Sequence, residues 1–152
     1  MATILIIYHS QTGNTEKLAQ SVAKGVEEVK AKAILKQAFT ATIFDLKNCD
    51  GLIICSPEYF GYMAGAIKDF FDRTYEEAKD DPAVHKKPYA IVISAGNDGS
   101  GALTQIERIG RGYRFKMVQA PIISKGEVTK EVLEKCYLLG MTIAEGIDSR
   151  IF

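Results

Sequence analysis

The chain has 152 residues, of which 47% are hydrophobic and 25% charged, a composition typical of one folded domain over residues 1–152. Its 19 basic residues balance its 19 acidic residues, so no excess charge favours nucleic acid or an anionic membrane. No apolar run can span a bilayer, the first residues do not resemble a signal peptide, and the three scattered cysteines lack metal-site or disulfide spacing. We therefore expect a cytoplasmic protein that binds no metal.

A branched apolar run over residues 4–8 predicts a first strand that is buried on both faces. A small polar loop, residues 9–15, follows it directly. A helical pattern then starts at Asn14 and continues to about Val29, with Asn14 or Thr15 near the N-cap. Its apolar face repeats every three or four residues at Leu18, Val22, Val26 and Val29.

This loop gathers hydroxyl groups and free backbone N–H groups at the positive end of a helix dipole, which suits a phosphate. It lacks the three glycines of a Rossmann dinucleotide loop and the Gly-Lys pair of a nucleotide-triphosphate loop. It also lacks the cysteine of a phosphatase and the acidic pair of a receiver domain. An ordinary helix cap that binds nothing uses the same residue types, so both interpretations stay open here.

The middle of the chain alternates between strand and helix patterns. Residues 33–39 predict a weaker second strand, residues 40–50 a single helical turn, and residues 51–55 a third buried strand. The next helix is marked by Met63, Ile67, Phe70, Phe71 and Thr74. Residues 76–88 are charged and contain two prolines, so we expect a surface connection there.

The last third of the chain repeats this alternation. Residues 89–94 predict a fourth buried strand, and residues 116–123 predict a fifth that is interrupted near Pro121. A helix around Ile106 separates them. The final helix carries apolar residues at Val128, Val132, Cys136, Leu139, Ile143 and Ile147.

Five mostly continuous apolar strands separated by helices predict an α/β fold with one doubly wound, five-stranded parallel sheet and helices on both faces. The expected strand order is 2-1-3-4-5. Such sheets bind ligands at the carboxyl ends of their strands, so the loops after strands 1, 3 and 4 should meet at one site.

Both later loops have unusual compositions. Residues 56–63 contain three aromatic side chains and a methionine, which would cover a planar ring, or else cap the sheet edge or form a subunit interface. Residues 94–101 contain three glycines, which would let the backbone approach a ring edge, or would simply form a turn.

The three loops together carry a family resemblance. The first, H-S-Q-T-G-N-T, resembles the phosphate loop of the flavodoxin family. The second, S-P-E-Y-F-G-Y-M-A-G-A-I-K-D-F-F-D-R-T, resembles the second flavin loop and following helix of flavodoxin-like NAD(P)H:quinone and FMN reductases. The third, S-A-G-N-D-G-S-G, is similar to their third loop more loosely. The order of elements parallels this family over essentially the whole chain.

The resemblance implies non-covalently bound FMN, and redox chemistry that needs no catalytic side chain. By position, it assigns the phosphate to Ser10, Gln11, Thr12, Gly13, Asn14 and Thr15. It assigns the ring to Pro57, Glu58, Tyr59, Phe60 and Gly61. It assigns the opposite ring edge to Ser94, Ala95, Gly96, Asn97 and Gly101.

Three functions fit these observations. The first is an FMN-binding oxidoreductase that passes electrons from NAD(P)H or a redox partner to a small acceptor such as a quinone, with the aromatic loop also available to a homodimer. The second is a flavodoxin, an electron carrier without substrate turnover, although flavodoxins are typically acidic and this chain is neutral. The third is a non-redox binding module that has lost its flavin. Flavodoxin-like reductases are usually longer than this chain and carry an insertion that builds a substrate pocket. This sequence has no recognisable insertion of that kind.

Overall fold

The computed structural model describes residues 1–152, and its strands follow the apolar runs of the sequence. The strands are β1 (Thr3–Tyr8), β2 (Lys32–Gln37), β3 (Gly51–Tyr59), β4 (Tyr62–Met63), β5 (Pro88–Ala95), β6 (Lys116–Met117) and β7 (Ile122–Lys125). The helices are α1 (Asn14–Glu28), α2 (Ile43–Asn48), α3 (Gly65–Ala78), α4 (Ser100–Gly112) and α5 (Lys130–Asp148). None of these helices combines the length and the apolar composition needed to cross a membrane.

The sheet is parallel along the path β2-β1-β3-β5, and β6 and β7 both pair with β5 on its far side. Ile6 of β1 lies opposite Leu35 on one side and Ile53 on the other, so the central strands pair apolar residues with apolar residues. Because β6 and β7 together form one interrupted edge strand, this path confirms the predicted order 2-1-3-4-5. The interruption lies at residues 118–121, where Pro121 was expected to cause it.

Successive side chains along each strand point to opposite faces of the sheet and pack into two separate cores, one on each face. Ile4 and Ile6 pack with α1 and α5, whereas Leu5 and Ile7 pack with α2, α3 and α4. Helices α1 and α5 approach so closely that a Cβ atom at Gly25 would lie 1.9 Å from the carbonyl oxygen of Tyr137. The sheet therefore lies between two helical layers, and its carboxyl ends are left to form a site.

Two boundaries differ from the sequence predictions. The second strand ends at Gln37, two residues early, because residues 38–40 turn into a short 3₁₀ helix. The prediction of a surface connection over residues 76–88 was wrong in part, since α3 continues to Ala78 and Val84 is fully buried. Lys87 is also buried and donates a hydrogen bond to the carbonyl oxygen of Cys49.

Candidate functional site

The carboxyl ends of β1, β3, β5 and β7 surround a cavity of about 730 Å³. Its walls include ten of the sixteen residues that the sequence assigns to cofactor binding. These are Gln11, Thr12, Asn14, Thr15, Pro57, Glu58, Tyr59, Ser94, Ala95 and Gly96. The other six do not line the cavity: Ser10, Gly13, Phe60, Gly61, Asn97 and Gly101. All sixteen belong to three loops that the fold brings together, and their contacts with a ligand stay predictions.

The loop after β1 presents an uncapped helix. Gly13, not Asn14 or Thr15, is the N-cap residue of α1, and its φ of 101° is a left-handed conformation that favours glycine. Asn14 is the first helical residue and so lies next to the N-cap, as the sequence predicted. Ser10 Oγ accepts a hydrogen bond from Gly13 N–H, at 3.0 Å, within the loop before the helix. No side chain caps α1. The backbone N–H groups of Asn14 and Thr15 consequently have no protein acceptor.

Among the helices that follow β1, β5 and β7, only α1 has no side-chain acceptor for the N–H groups of its first turn. The carboxylate of Glu58 accepts hydrogen bonds from two N–H groups at the start of α4. Thr129 caps α5 by accepting a hydrogen bond from Val132 N–H. Since free N–H groups and the helix dipole both favour an anion, the start of α1 is the corner of the cavity that best suits an anion.

The second loop forms a hairpin. β3 continues past Cys55 to Tyr59 and pairs antiparallel with β4, so the expected end of the third strand at Cys55 was four residues early. The turn at Phe60 and Gly61 has φ values of 53° and 70°, the left-handed pair that a two-residue type I′ turn requires. Tyr59 faces the cavity, whereas Phe60 at the turn is fully exposed.

The third loop packs directly on this hairpin. Ser94, Ala95 and Gly96 form the wall of the cavity at the end of β5. Gly101, at the start of α4, meets the turn instead, because a Cβ atom there would lie 2.1 Å from the carbonyl oxygen of Gly61. Gly101 therefore joins two loops, and its predicted placement beside the ligand stays a prediction.

A fourth segment, which the sequence analysis missed, closes the cavity. Gly126, Glu127 and Val128 follow β7 and line the cavity, and the N–H of Gly126 donates a 2.8 Å hydrogen bond to the carbonyl oxygen of Ala95. Lys17, one turn into α1, also lines the cavity and is its only lysine or arginine. The sequence could have indicated this segment, because ligands bind at the carboxyl ends of parallel strands and residues 126–128 directly follow the last strand, which ends at Lys125.

Tyr59 is the one aromatic residue that lines the cavity, and further rings pack behind it. The ring of His9 lies edge-on to those of Phe39 and Tyr59, with centroids 6.3 and 6.2 Å apart. Burial raises the pKa of Tyr59 above its ordinary value, so its phenol is neutral at physiological pH. Burial, and then the hydrogen bond that its hydroxyl donates to Glu16 Oε2 at 3.0 Å, raise the pKa of Tyr8 in the same direction.

The cavity is therefore chemically divided. One corner offers uncapped backbone N–H groups and Lys17, while Pro57 and Tyr59 offer flat apolar surface on another side. No three His, Cys, Asp or Glu side chains come together as a metal site. This arrangement fits a ligand with an anionic group at one end and a planar ring at the other.

Comparisons with known proteins agree with this geometry. Residues 2–130 match the family described as NADPH-dependent FMN reductase. The flavodoxin of Aquifex aeolicus is 27% identical over 97% of this chain and 88% of its own length.

A Paracoccus denitrificans protein named NAD(P)H dehydrogenase (quinone) is 28% identical over 70% of this chain. The aligned part is 61% of that longer protein. Among solved structures, a flavodoxin from the domain Archaea superposes with a TM-score of 0.82 over 96% of this chain and 99% of its own. At 21% identity, that likeness concerns the fold.

Proposed function

The chain belongs to the NADPH-dependent FMN reductase family, and on that premise we propose that it is an FMN-binding oxidoreductase. Its electrons come from NAD(P)H or a redox partner protein, and its acceptor is a small molecule such as a quinone. The observation that carries the proposal is the uncapped start of α1, which opens into a cavity with a flat apolar wall. FMN has the matching form, a phosphate joined to a planar ring.

The phosphate end is held by the loop after β1. With FMN bound, the N–H groups of Asn14 and Thr15, which have no protein acceptor, would donate to its phosphate, and Thr12 and Gln11 would add side-chain donors from the same wall. Lys17 supplies the one positive charge on this side, which distinguishes the site from one made of neutral donors alone. Ser10 acts indirectly, because its hydroxyl holds the loop by accepting from Gly13 N–H.

The ring end is held between the hairpin and the third loop. Pro57 and Tyr59 would provide apolar contact on one side of the ring, while the backbone of Ser94, Ala95 and Gly96 would lie at its edge on the other. When bound, the flavin supplies the electron-transfer chemistry, and the protein orients it and excludes water. The neutral phenol of Tyr59 adds no negative charge beside the ring.

An absorption spectrum tests cofactor binding first. Purified protein incubated with FMN and then gel-filtered should elute with flavin absorption bands in a ratio near one flavin per chain. Protein that stays colourless would refute the FMN site and leave the third function, a binding module without flavin. The holoprotein should then oxidise NADPH or NADH in the presence of a soluble quinone, at about 1 s⁻¹ or faster.

A flavodoxin-like electron carrier is the second candidate. It is favoured by the alignment with the Aquifex aeolicus flavodoxin, which covers nearly the whole of both chains. A carrier would bind FMN with the same stoichiometry but would fail to oxidise either nicotinamide with quinone. It would instead be reduced by a partner reductase, so the two functions separate in one assay series.

The remaining properties follow from the same premise. We propose that residues 1–152 act as one domain in the cytoplasm, where three free and buried cysteines stay reduced. The exposed Phe60 and Tyr62 of the hairpin offer contact surface to a redox partner or to a second copy in a homodimer. Gel filtration with light scattering measures the oligomeric state directly.

A further inference from the structure

We infer that Glu58 is a positioning residue, which sets the spacing between the two walls that enclose the flavin ring. The inference rests on the proposed FMN site and goes beyond it, since the resemblance placed Glu58 against the ring itself. In the structure the Glu58 carboxylate is hydrogen-bonded to backbone N–H groups at the start of α4. Its Oε1 accepts from Gly99 N–H and its Oε2 from Ala102 N–H, both at 2.9 Å.

Helix α4 cannot supply its own cap. Its N-cap residue, Gly99, has a φ of 88°, which side chains rarely tolerate. A Cβ atom at Gly99 would also lie 2.7 Å from Cγ2 of Ile123. Serine, threonine, aspartate and asparagine, the usual capping residues, are thereby excluded from this position. The neighbours do not substitute, because Ser100 Oγ donates to Asp98 Oδ2 at 2.5 Å.

Glu58, which lies in β3, performs both halves of a capping box for α4. In α2 the box is local: Thr42 Oγ1 accepts from Asp45 N–H, and Asp45 Oδ2 accepts from Thr42 N–H. In α4 the two equivalent N–H groups belong to Gly99 and Ala102, and one carboxylate accepts from both. The cap therefore also acts as a link between β3 and the third loop.

This link lies at the site. Glu58 stands between Pro57 and Tyr59, which form one wall of the cavity, and Gly99 follows Gly96 of the opposite wall. The contact of Gly101 with the Gly61 carbonyl oxygen joins the same two loops a second time. These two links hold the walls at a fixed distance from each other. A ring can therefore bind between them without further ordering of either loop.

The test compares FMN with riboflavin, which has the same ring but no phosphate. Glu58→Gln retains one acceptor oxygen and places an amide NH₂ group against the other N–H, so it breaks half of the link. We expect the dissociation constants of both FMN and riboflavin to rise by about tenfold, by equal factors, because the change concerns the ring. Fluorescence quenching measures both constants on the same apoprotein.

Glu127→Gln is the matched control, since it removes a carboxylate from the same cavity that makes no hydrogen bond to the protein. It measures the effect of charge alone, which Glu58→Gln must exceed by about tenfold. Equal effects of the two variants would overturn the inference, as would a Glu58→Gln effect on FMN without one on riboflavin. Wild-type protein that binds neither flavin would overturn the proposed function itself.

Two further measurements separate positioning from general stability. In apo Glu58→Gln, the amide protons of Gly99, Ala102 and Gly61 should exchange faster, while those of β1 stay protected. The midpoint potential of bound FMN should also shift relative to that of Glu127→Gln. If Glu58→Gln does not fold, Gly101→Ala keeps Glu58 and separates the same walls at their other contact, with the same expected effect on both flavins.

Discussion

Replacing Gly25 by alanine tests the close approach of α1 and α5. The added Cβ would lie 1.9 Å from the Tyr137 carbonyl oxygen and 3.1 Å from the Met141 nitrogen, both backbone atoms of α5. Ordinary contacts begin at 3.4 Å, so the helices must separate locally by about 1.5 Å. Such overpacking costs about 1–3 kcal/mol, and the better helix propensity of alanine returns about 0.5–1 kcal/mol. Because the clash is with backbone atoms, we take the upper end of the cost and expect the free energy of unfolding to fall by about 2 kcal/mol.

Denaturation in urea measures this loss, as a lower midpoint with an unchanged slope. In thermal unfolding the same loss corresponds to a Tm lower by about 4–8 °C for a chain of this size. Gly112→Ala is the control, because this glycine also lies in a helix but nothing approaches its Cβ position within 4 Å. It should leave stability unchanged or raise it by about 0.5 kcal/mol. If both alanines stabilise the protein, the argument from helix contact is refuted.

Four further outcomes are expected. Lys17→Gln should weaken FMN binding by up to about fivefold at low salt and less at high salt, measured by titration; an effect independent of salt would contradict its role as a charge. Burial raises the pKa of Tyr89 and of Tyr113 to about 12, from 10.0, so the stability contributed by the neutral phenols is complete below pH 10 and lost as pH rises to about 12; urea midpoints at pH 8 and 11 would be equal if this were wrong. The Cys55 thiol, whose pKa burial raises well above the ordinary value, should react with thiol reagents only after unfolding; rapid native labelling would refute its burial. Phe60→Ser should leave the urea midpoint unchanged because Phe60 is fully exposed, and a large loss would show that the turn depends on it.

Much of the fold could be predicted because its strands are buried on both faces and read as continuous apolar runs. Residues 4–8 and 51–55 are of this kind, and they pair with each other at the centre of the sheet. The hairpin was missed for a local reason. After Cys55 the pattern breaks at Ser56 and Pro57, yet the strand continues, because Ser56 Oγ accepts the Ala64 N–H and supports the return of the chain.

The site was predicted to the extent that it depends on loops following strands. Thr12, Pro57 and Gly96 lie where the rule for parallel sheets places them. The role of Glu58 could not be predicted, since its two partners lie 41 and 44 residues later and depend on the exact position of α4. Likewise, the loop at residues 126–128 depends on where an edge strand resumes after an interruption, which composition does not determine.

The interrupted edge strand also affects how the chain meets other copies of itself. An intact edge would present a row of unpaired N–H and C=O groups on which a neighbouring chain can add a strand and begin to aggregate. Here β6 and β7 have only two and four residues, with Pro121 between them, so no long template exists on that side. The opposite edge, β2, carries the exposed Lys32, whose charge opposes the same addition. Both edges are thus protected while the parallel strands pair, which is slow because their contacts are distant in sequence.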